Sequence, residues 1–494
     1  MMNYTRILSG LLAAGLIVAS AADAAPAKKS RSSKKKQAKT VKKEEKAPAL
    51  PLIDHPSAPQ NHEAEYQNFA AQLKEITKNN AFDISRALFT ILKATDDEFC
   101  IEWWMQRAAH EGLPPAQLFM AQKHLYLLPK DKYRTPEVKE AVALLKKASD
   151  AGYVPAMQEY SKCMRHGIGT LENDQGADRL LMQACSGGSF ETRFEWLKQS
   201  GRLEKYEDLQ RAEVKAEIER GNHYILHHMS LMAPDTAAIT NMLVQAAGKG
   251  NSSAFFELSE LYAKIDITQS YKFLREAVRL RNPDALFRIG MYMIDPPSSL
   301  EINVGPVRNP VAGIVMLKMA AIMGQVEARA QLARMYYQGS AELPKDATKA
   351  YRHLAIGTAL SASPVLMAAQ GYMLLTGQGT QKNTETGLKL IKMAASRQYT
   401  HAKCLLGYIH YHGIGVDKNV SEAIFNFEDA STYKDPLALI YLALLFDAEK
   451  DTAQSNYYLE HAEQLLPDKA KSIFRYYQQH PQGWHMQPFP MENI

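Results

Sequence analysis

From Ala64 onward the apolar residues fall at helical spacing. Residues 64–78 carry Tyr66, Phe69, Ala70, Leu73 and Ile76 on one face, which predicts an amphipathic helix sealing the first end of the structure. Residues 84–93 and 98–112 predict two more helices, and after them the pattern becomes periodic. A small residue marks the end of each second helix of a pair, and the next first helix opens eight residues later. Examples are Ala108 with Ala116, Ala148 with Ala156, Ala246 with Ala254, Ala320 with Ala328, Ala394 with Ala402 and Ala462 with Ala470. The step of eight holds through all eleven such pairs, whereas the distance between successive starts ranges from 30 to 43 residues. The connection between units therefore sets the stacking and cannot stretch, while the turn inside a unit lies on the surface and tolerates insertions.

Within the first helices a leucine, a small residue and an aromatic recur on one face, as in Leu332, Ala333 and Tyr336, in Leu406, Gly407 and His410, and in Leu258, Ser259 and Tyr262. The turn that follows reads G-x-G at 167–169, 377–379 and 413–415. Glycine suits a helix ending in the left-handed conformation. These glycines do not form a phosphate loop, because no strand precedes them and both a third glycine and a P-loop lysine are missing. The longest insertion, 295–310, holds four prolines and predicts a loop. Two units between Thr192 and Gly250 lose the glycine turn, and 204–220 predicts one charged helix.

Composition narrows the class. Ala, Leu and Met are prominent over Val, Ile and Thr, so the expected fold is all-α. The expectation is an α/α superhelix, a solenoid of about eleven helix-turn-helix repeats over residues 64–480, with an extended tail at 481–494.

The charge is unevenly placed. Net charge is +5, yet ten Lys or Arg against two acids fall between Lys28 and Lys46, so the remainder of the chain is net acidic. Residues 25–60 predict a disordered Lys/Ala/Pro-rich linker. Two readings of it stand: a solubilising linker, or a tether to an anionic polymer or membrane surface. Residues 1–24 combine Arg6, an apolar run of thirteen residues from Ile7 to Ala19, and Ala22-Asp23-Ala24, the outline of a secretory signal peptide. The run is shorter than the roughly 20 residues of a membrane anchor, so no transmembrane span is expected after its removal. The expected location is periplasmic or secreted, where nucleic acid is not an expected partner.

Candidate chemistry is sparse. Cys100, Cys163, Cys185 and Cys404 show no C-x-x-C spacing. Cys163 and Cys185 fall in the two helices of one unit, which leaves a disulfide or two buried thiols open. His223, His227 and His228 place two imidazoles one turn apart, but no acid or cysteine stands close by in sequence, so packing histidines are favoured over a metal site. No nucleophile and base pair is recognisable. No catalytic residue, metal or cofactor is expected.

The stretch A-x-x-x-L-G-x-x-x-x-x-G-x-G-V from Ala402 to Val416, followed by Glu422, Ala423 and the small residue Ala430, resembles the Sel-one-like repeat family of the tetratricopeptide class. Residues 156–170 and 328–339 support the resemblance, which covers about 80–480. It implies a scaffold that binds a protein or peptide, often in bacterial export and signalling. Cysteine-rich relatives with a cysteine pair in every repeat bind penicillin-like ligands; this chain lacks those pairs, so that activity is not carried over and a hydrolase stands third. In such a superhelix the first helices line a concave groove. By register it would be polar and basic early, with Lys162 and Lys198, and tyrosine-rich later, with Arg334, Tyr337, Tyr372, Tyr408, Tyr411, His412, Tyr441 and Tyr476. Tyrosine suits recognition surfaces, but a one-residue shift of register would bury these rings between neighbouring helices instead. The expected function is an exported, non-enzymatic interaction scaffold, with a tethered cell-envelope protein as the alternative.

Overall fold

The computed structural model describes residues 62–125, 132–296, 307–467 and 469–480. The expected leader, the segment between Lys28 and Lys46, most of the proline-rich insertion and the tail 481–494 lie outside the described residues. The described residues hold twenty-four α-helices and no strand. They divide into two compact units, one ending at Ala285 and the other beginning at Leu286.

The first unit starts with α1 (Glu63–Lys78), α2 (Ser85–Thr95), α3 (Cys100–His110), α4 (Pro114–Leu125), α5 (Pro136–Asp150), α6 (Val154–His166) and α7 (Asp174–Ser186). It continues through α8 (Phe190–Gln199), α9 (Ala212–Glu219), α10 (His223–Ser230), α11 (Thr236–Gly248), α12 (Ser252–Tyr262) and α13 (Ile267–Arg279). Helix α14 (Pro283–Ile294) carries the chain into the second unit. There follow α15 (Pro310–Ile322), α16 (Val326–Gln338), α17 (Ala347–Ser361), α18 (Pro364–Thr376), α19 (Thr384–Ser396) and α20 (Thr400–His412). The last four are α21 (Val420–Ser431), α22 (Pro436–Ala448), α23 (Thr452–Leu465) and α24 (Ala470–Gln479).

The invariant step of eight has a backbone cause. Ala108, Ala148, Ala246 and Ala320 each accept, at their carbonyl, the N–H five residues on, from Leu113, Tyr153, Asn251 and Gln325 at 3.0–3.2 Å. The residue four places on, Gly112, Gly152, Gly250 or Gly324, has positive φ. This is the Schellman ending, which reverses the chain within a fixed number of residues. The alanines at both ends of the step, such as Ala108 and Ala116 or Ala320 and Ala328, are completely buried, so the helices meet there at close range.

Second helices begin with an equally regular device. Asn173, Asp235, Asp266, Asn309, Asp346, Asn383, Asn419 and Asp451 each accept a backbone N–H from the residue three on. Each such cap is worth about 1 kcal/mol.

The G-x-G turn does more than end a helix. A Cβ on Gly169 would stand 2.9 Å from the Val138 carbonyl oxygen and 2.8 Å from a Val142 methyl, both on α5 of the preceding pair. Gly379 lies against the backbone of Ala347 at the start of α17, and Gly415 against the Thr384 methyl at the start of α19. The second glycine of the turn is thus where each pair presses on the second helix of its predecessor. Inside a pair, Gly371 and Gly387 let α18 and α19 cross backbone to backbone: a Cβ on either would be 2.7 Å from the carbonyl oxygen of the other. Gly407 instead takes the face of Phe427.

The first unit is sealed as the pattern of residues 64–78 predicts. Trp104 is buried edge-on to Tyr66 and Phe69, each with ring centroids 5.6 Å away. The Arg107 guanidinium lies 3.6 Å from the Tyr66 ring centroid and donates to both Glu63 carboxylate oxygens at 2.8 and 2.9 Å.

One expectation is corrected, and one choice left open by the sequence is decided. Residues 204–220 are not one helix but a 3-10 turn, Tyr206–Gln210, followed by α9. The Asp208 carboxylate accepts from the N–H groups of Glu204 and Lys205 and from Arg211, which folds the chain back on itself. These backbone donors hold its carboxyl down at about 2. Cys163 and Cys185 are free thiols, not a disulfide. Cys163 packs toward the previous pair, with Val138, Val142 and Leu145, while Cys185 faces the Thr192 carbonyl of the next first helix at 3.7 Å. They point to opposite neighbours, and burial raises the two thiols to about 12 and about 11.

Candidate functional site

The first helices of the second unit bring most of the expected groove tyrosines into one file. Tyr372 lies between Tyr337 and Tyr408, and Tyr408 stands 6.4 Å from Tyr441, centroid to centroid. Their exposure separates them. Tyr372 at 8%, Tyr408 at 7% and Tyr441 at 2% are core residues. Tyr441 is sandwiched between Phe427 at 5.3 Å and Tyr477 at 6.1 Å, and burial raises the hydroxyls of all three file residues. Arg334, Tyr337 and Tyr411 are half-buried and His412 is exposed. Tyr476, 55% exposed, stacks on His480 instead. The surface file is therefore Arg334, Tyr337, Tyr411 and His412, over a floor of buried rings.

A lysine overhangs each surface tyrosine. Lys345 Nζ is 5.6 Å from the Tyr337 ring centroid, and Lys418 Nζ is 5.0 Å from that of Tyr411, both within cation–π range. Both lysines come from the turn, packed beside Gly339 and Gly413, and Lys382 takes the equivalent place beside Gly377. In the first unit that place beside Gly167 belongs to Glu172. Three successive turns of the second unit thus present a lysine where the first presents an acid. Sequence reasoning missed this row; the signal was present as a lysine directly before each second-helix cap, at Lys345, Lys382 and Lys418.

Of the early groove positions, Lys162 is buried and Lys198 is half-buried. Lys162 Nζ is 2.9 Å from Glu159 and 3.8 Å from Glu195, which is fully buried. Burial works against the Lys162 charge, but the carboxylates of Glu159 and Glu195 outweigh it and hold the ammonium protonated. Next to them lies Glu191, whose carboxylate is 3.5 Å from the Tyr224 hydroxyl. Burial first, and the Glu195 charge second, raise the Glu191 carboxyl well above the usual carboxylate range. The folded chain therefore keeps a proton there that the unfolded chain releases, and stability must fall as pH rises past that range. The Glu191→Gln variant is expected to flatten this fall and to exceed the wild type in urea midpoint at about pH 8, with little difference near pH 4. Urea unfolding followed by circular dichroism checks it.

The three histidines of α10 part company. His223 pairs with Asn251 at 3.1 Å, His227 with Glu257 at 3.1 Å, and His228 sits edge-on to Phe194 with centroids 5.3 Å apart. Burial, with His227 and Lys249 beside it, lowers His223 to about 4. Among the described residues no group of three or more His, Cys, Asp and Glu is placed to hold a metal ion. No helix among them is long and apolar enough to cross a membrane.

Residues 114–153, 326–359, 366–399 and 400–432 match the Sel1 repeat family. Solved structures similar to this chain include these two. One is a protective antigen present in uropathogenic Escherichia coli strains that displays an SLR fold, 19% identical over 87% of this chain and 88% of that one, with a TM-score of 0.42. The other is a Sel1 repeat protein from Oxalobacter formigenes, 18% identical over 65% of this chain and 93% of that one, with a TM-score of 0.37.

Proposed function

We propose that this chain, a Sel1-repeat protein, works as an exported, non-enzymatic scaffold that binds a protein or peptide on the first helices and turns of its second unit. The observation that carries the reading is the pairing of half-buried aromatic faces with turn lysines, Tyr337 with Lys345 and Tyr411 with Lys418. Each pair offers flat apolar area beside a positive charge, which suits a polypeptide that alternates apolar or aromatic side chains with acids. Arg334 and His412 extend the same file with further hydrogen-bonding capacity. Tyr372, Tyr408 and Tyr441 support the floor and are not offered to the partner.

Export is supported by the apolar run from Ile7 to Ala19 and the small residues after it. The ten basic residues between Lys28 and Lys46 support a second, electrostatic contact with anionic cell-envelope polymer. Deleting them is expected to release the protein from envelope fractions, as about 0.5 M salt should also do.

The test of the binding reading is the triple variant Tyr337→Ala, Tyr411→Ala, His412→Ala. It is expected to lose at least about tenfold in affinity for partners isolated with the wild type, as removal of two aromatic anchors should, while its melting temperature stays close to the wild-type value. Unchanged affinity in the folded triple variant sinks the proposal.

A further inference from the structure

The connection between α1 and α2 does not stay near its own helices. The Asn80 side chain accepts the Val154 N–H at 3.1 Å, and the Ala81 carbonyl accepts the Tyr153 hydroxyl at 2.8 Å. Phe82 packs with Val154 and Met157 of α6 and beside Leu180 of α7. Asp83 reaches Arg281 at 3.6 Å, and Arg281 also donates to the Ser85 hydroxyl at 3.4 Å.

Tyr153 and Arg281 belong to the connections that open α6 and α14, four first helices apart in the array. Asn80 and Asp83 are three residues apart, so their Cα atoms are separated by at most about 11 Å. Four pairs stacked in a straight file, with neighbouring first helices about 9 Å apart, would place those connections roughly 36 Å from each other. The first unit therefore curls with the starts of its first helices on the inside, and residues 80–85 lie within the curl.

We propose that the starts of the first helices in the first unit form a peptide-binding surface, and that the chain's own Asn-Ala-Phe-Asp segment occupies it as an internal ligand. The surface supplies a hydroxyl donor from Tyr153 and a main-chain donor from Val154. It adds an apolar trough of Val154, Met157 and Leu180, and a guanidinium from Arg281. The peptide that fits carries an aromatic residue followed directly by an acid, on a backbone free to offer carbonyl oxygens. Because the segment is tethered on both sides, its effective concentration is of millimolar order, and it outcompetes a free peptide of the same chemistry. This surface belongs to the first unit, so the proposal stands or falls separately from the tyrosine and lysine file of the second.

The experiment uses the full chain and a fluorescein-labelled peptide with the sequence of residues 79–86. The variant Phe82→Ala, Asp83→Ala is expected to bind the peptide at least tenfold more tightly than the wild type in an anisotropy titration. A peptide lacking the same two side chains is expected to bind neither, and adding Arg281→Ala is expected to cost the open variant at least another tenfold. A double variant with wild-type circular dichroism that does not bind, or equal binding by wild type and variant, overturns the proposal. Should the double variant fail to fold, Asn80→Gly replaces it. This change keeps the positive φ of Asn80 and removes only the side chain on the Val154 N–H. The Val154 amide is then expected to exchange at least tenfold faster, and peptide binding is expected to rise over the wild type; an unchanged exchange rate refutes occupancy of the surface.

Discussion

Gly379→Ala is expected to destabilise the second unit by about 2–5 kcal/mol, combining left-handed backbone strain with overpacking. Gly379 has φ of +68°, and a Cβ there would fall on the Ala347 carbonyl, well inside van der Waals contact. The blocking atom is backbone at the first residue of α17, so no rotamer change relieves it. The neighbouring glycine provides the control. Gly377 has φ of +72°, but the nearest atom to its added Cβ, on Lys382, is 3.4 Å away. Gly377→Ala is therefore expected to cost only the strain, about 1–2 kcal/mol. In a stacked array stability is the sum of each pair and its interfaces with its neighbours. Hydrogen exchange should accordingly quicken across α17, α18 and α19 in Gly379→Ala, and mainly at the end of α18 in Gly377→Ala. Equal effects of the two substitutions would show that the second glycine only caps its helix.

Lys162→Met is expected to cost the first unit about 3–5 kcal/mol at neutral pH, the usual consequence of removing one partner from a buried ion pair. Methionine fills similar space, so lost packing is a minor part. Glu195 is left behind with no exposed surface, beside Glu191 and with its Oε1 already lacking a hydrogen-bond partner. The Gln199 side-chain amide donates to Glu195 at 3.5 Å, but it is neutral and does not replace the charge of the ammonium. Following Lys162→Met by Glu195→Gln is expected to recover more than half of the loss, since the remaining polar group is neutral. Urea unfolding followed by circular dichroism measures each step. A Lys162→Met variant as stable as the wild type overturns this prediction.

Much of the architecture was legible because it is local. The eight-residue step is a Schellman ending plus two alanines, and both depend on residues a few places apart, as at Ala148, Gly152 and Ala156. The second-helix caps at Asn383 and Asn419 are equally local, and their spacing repeats with the units. The candidate surface was half legible. Register put Tyr337, Tyr372, Tyr408 and Tyr411 on the first helices, but how far each ring sinks depends on the neighbouring helix. Tyr441 is covered because Phe427 and Tyr477 close on it from two other helices. The 204–220 stretch misled for a related reason: its charges suit a helix, but Asp208 captures the backbone N–H groups of Glu204 and Lys205 and the Arg211 side chain, which pins a turn there.

By itself the sequence determined an all-helical repeat array, its period and its turns, because hydrophobic spacing, caps and glycine endings act over a single helical turn. Only the tertiary structure decided three further matters. It showed that the second glycine of each G-x-G is pressed against the preceding pair. It separated the buried tyrosines from Tyr337 and Tyr411, which are left beneath lysines. It also placed residues 80–85 inside the curl of the first unit, against Val154 and Arg281. The first two depend on how one pair sits on the next and the third on the small rotation between pairs summed over several of them, and no short stretch of residues encodes either.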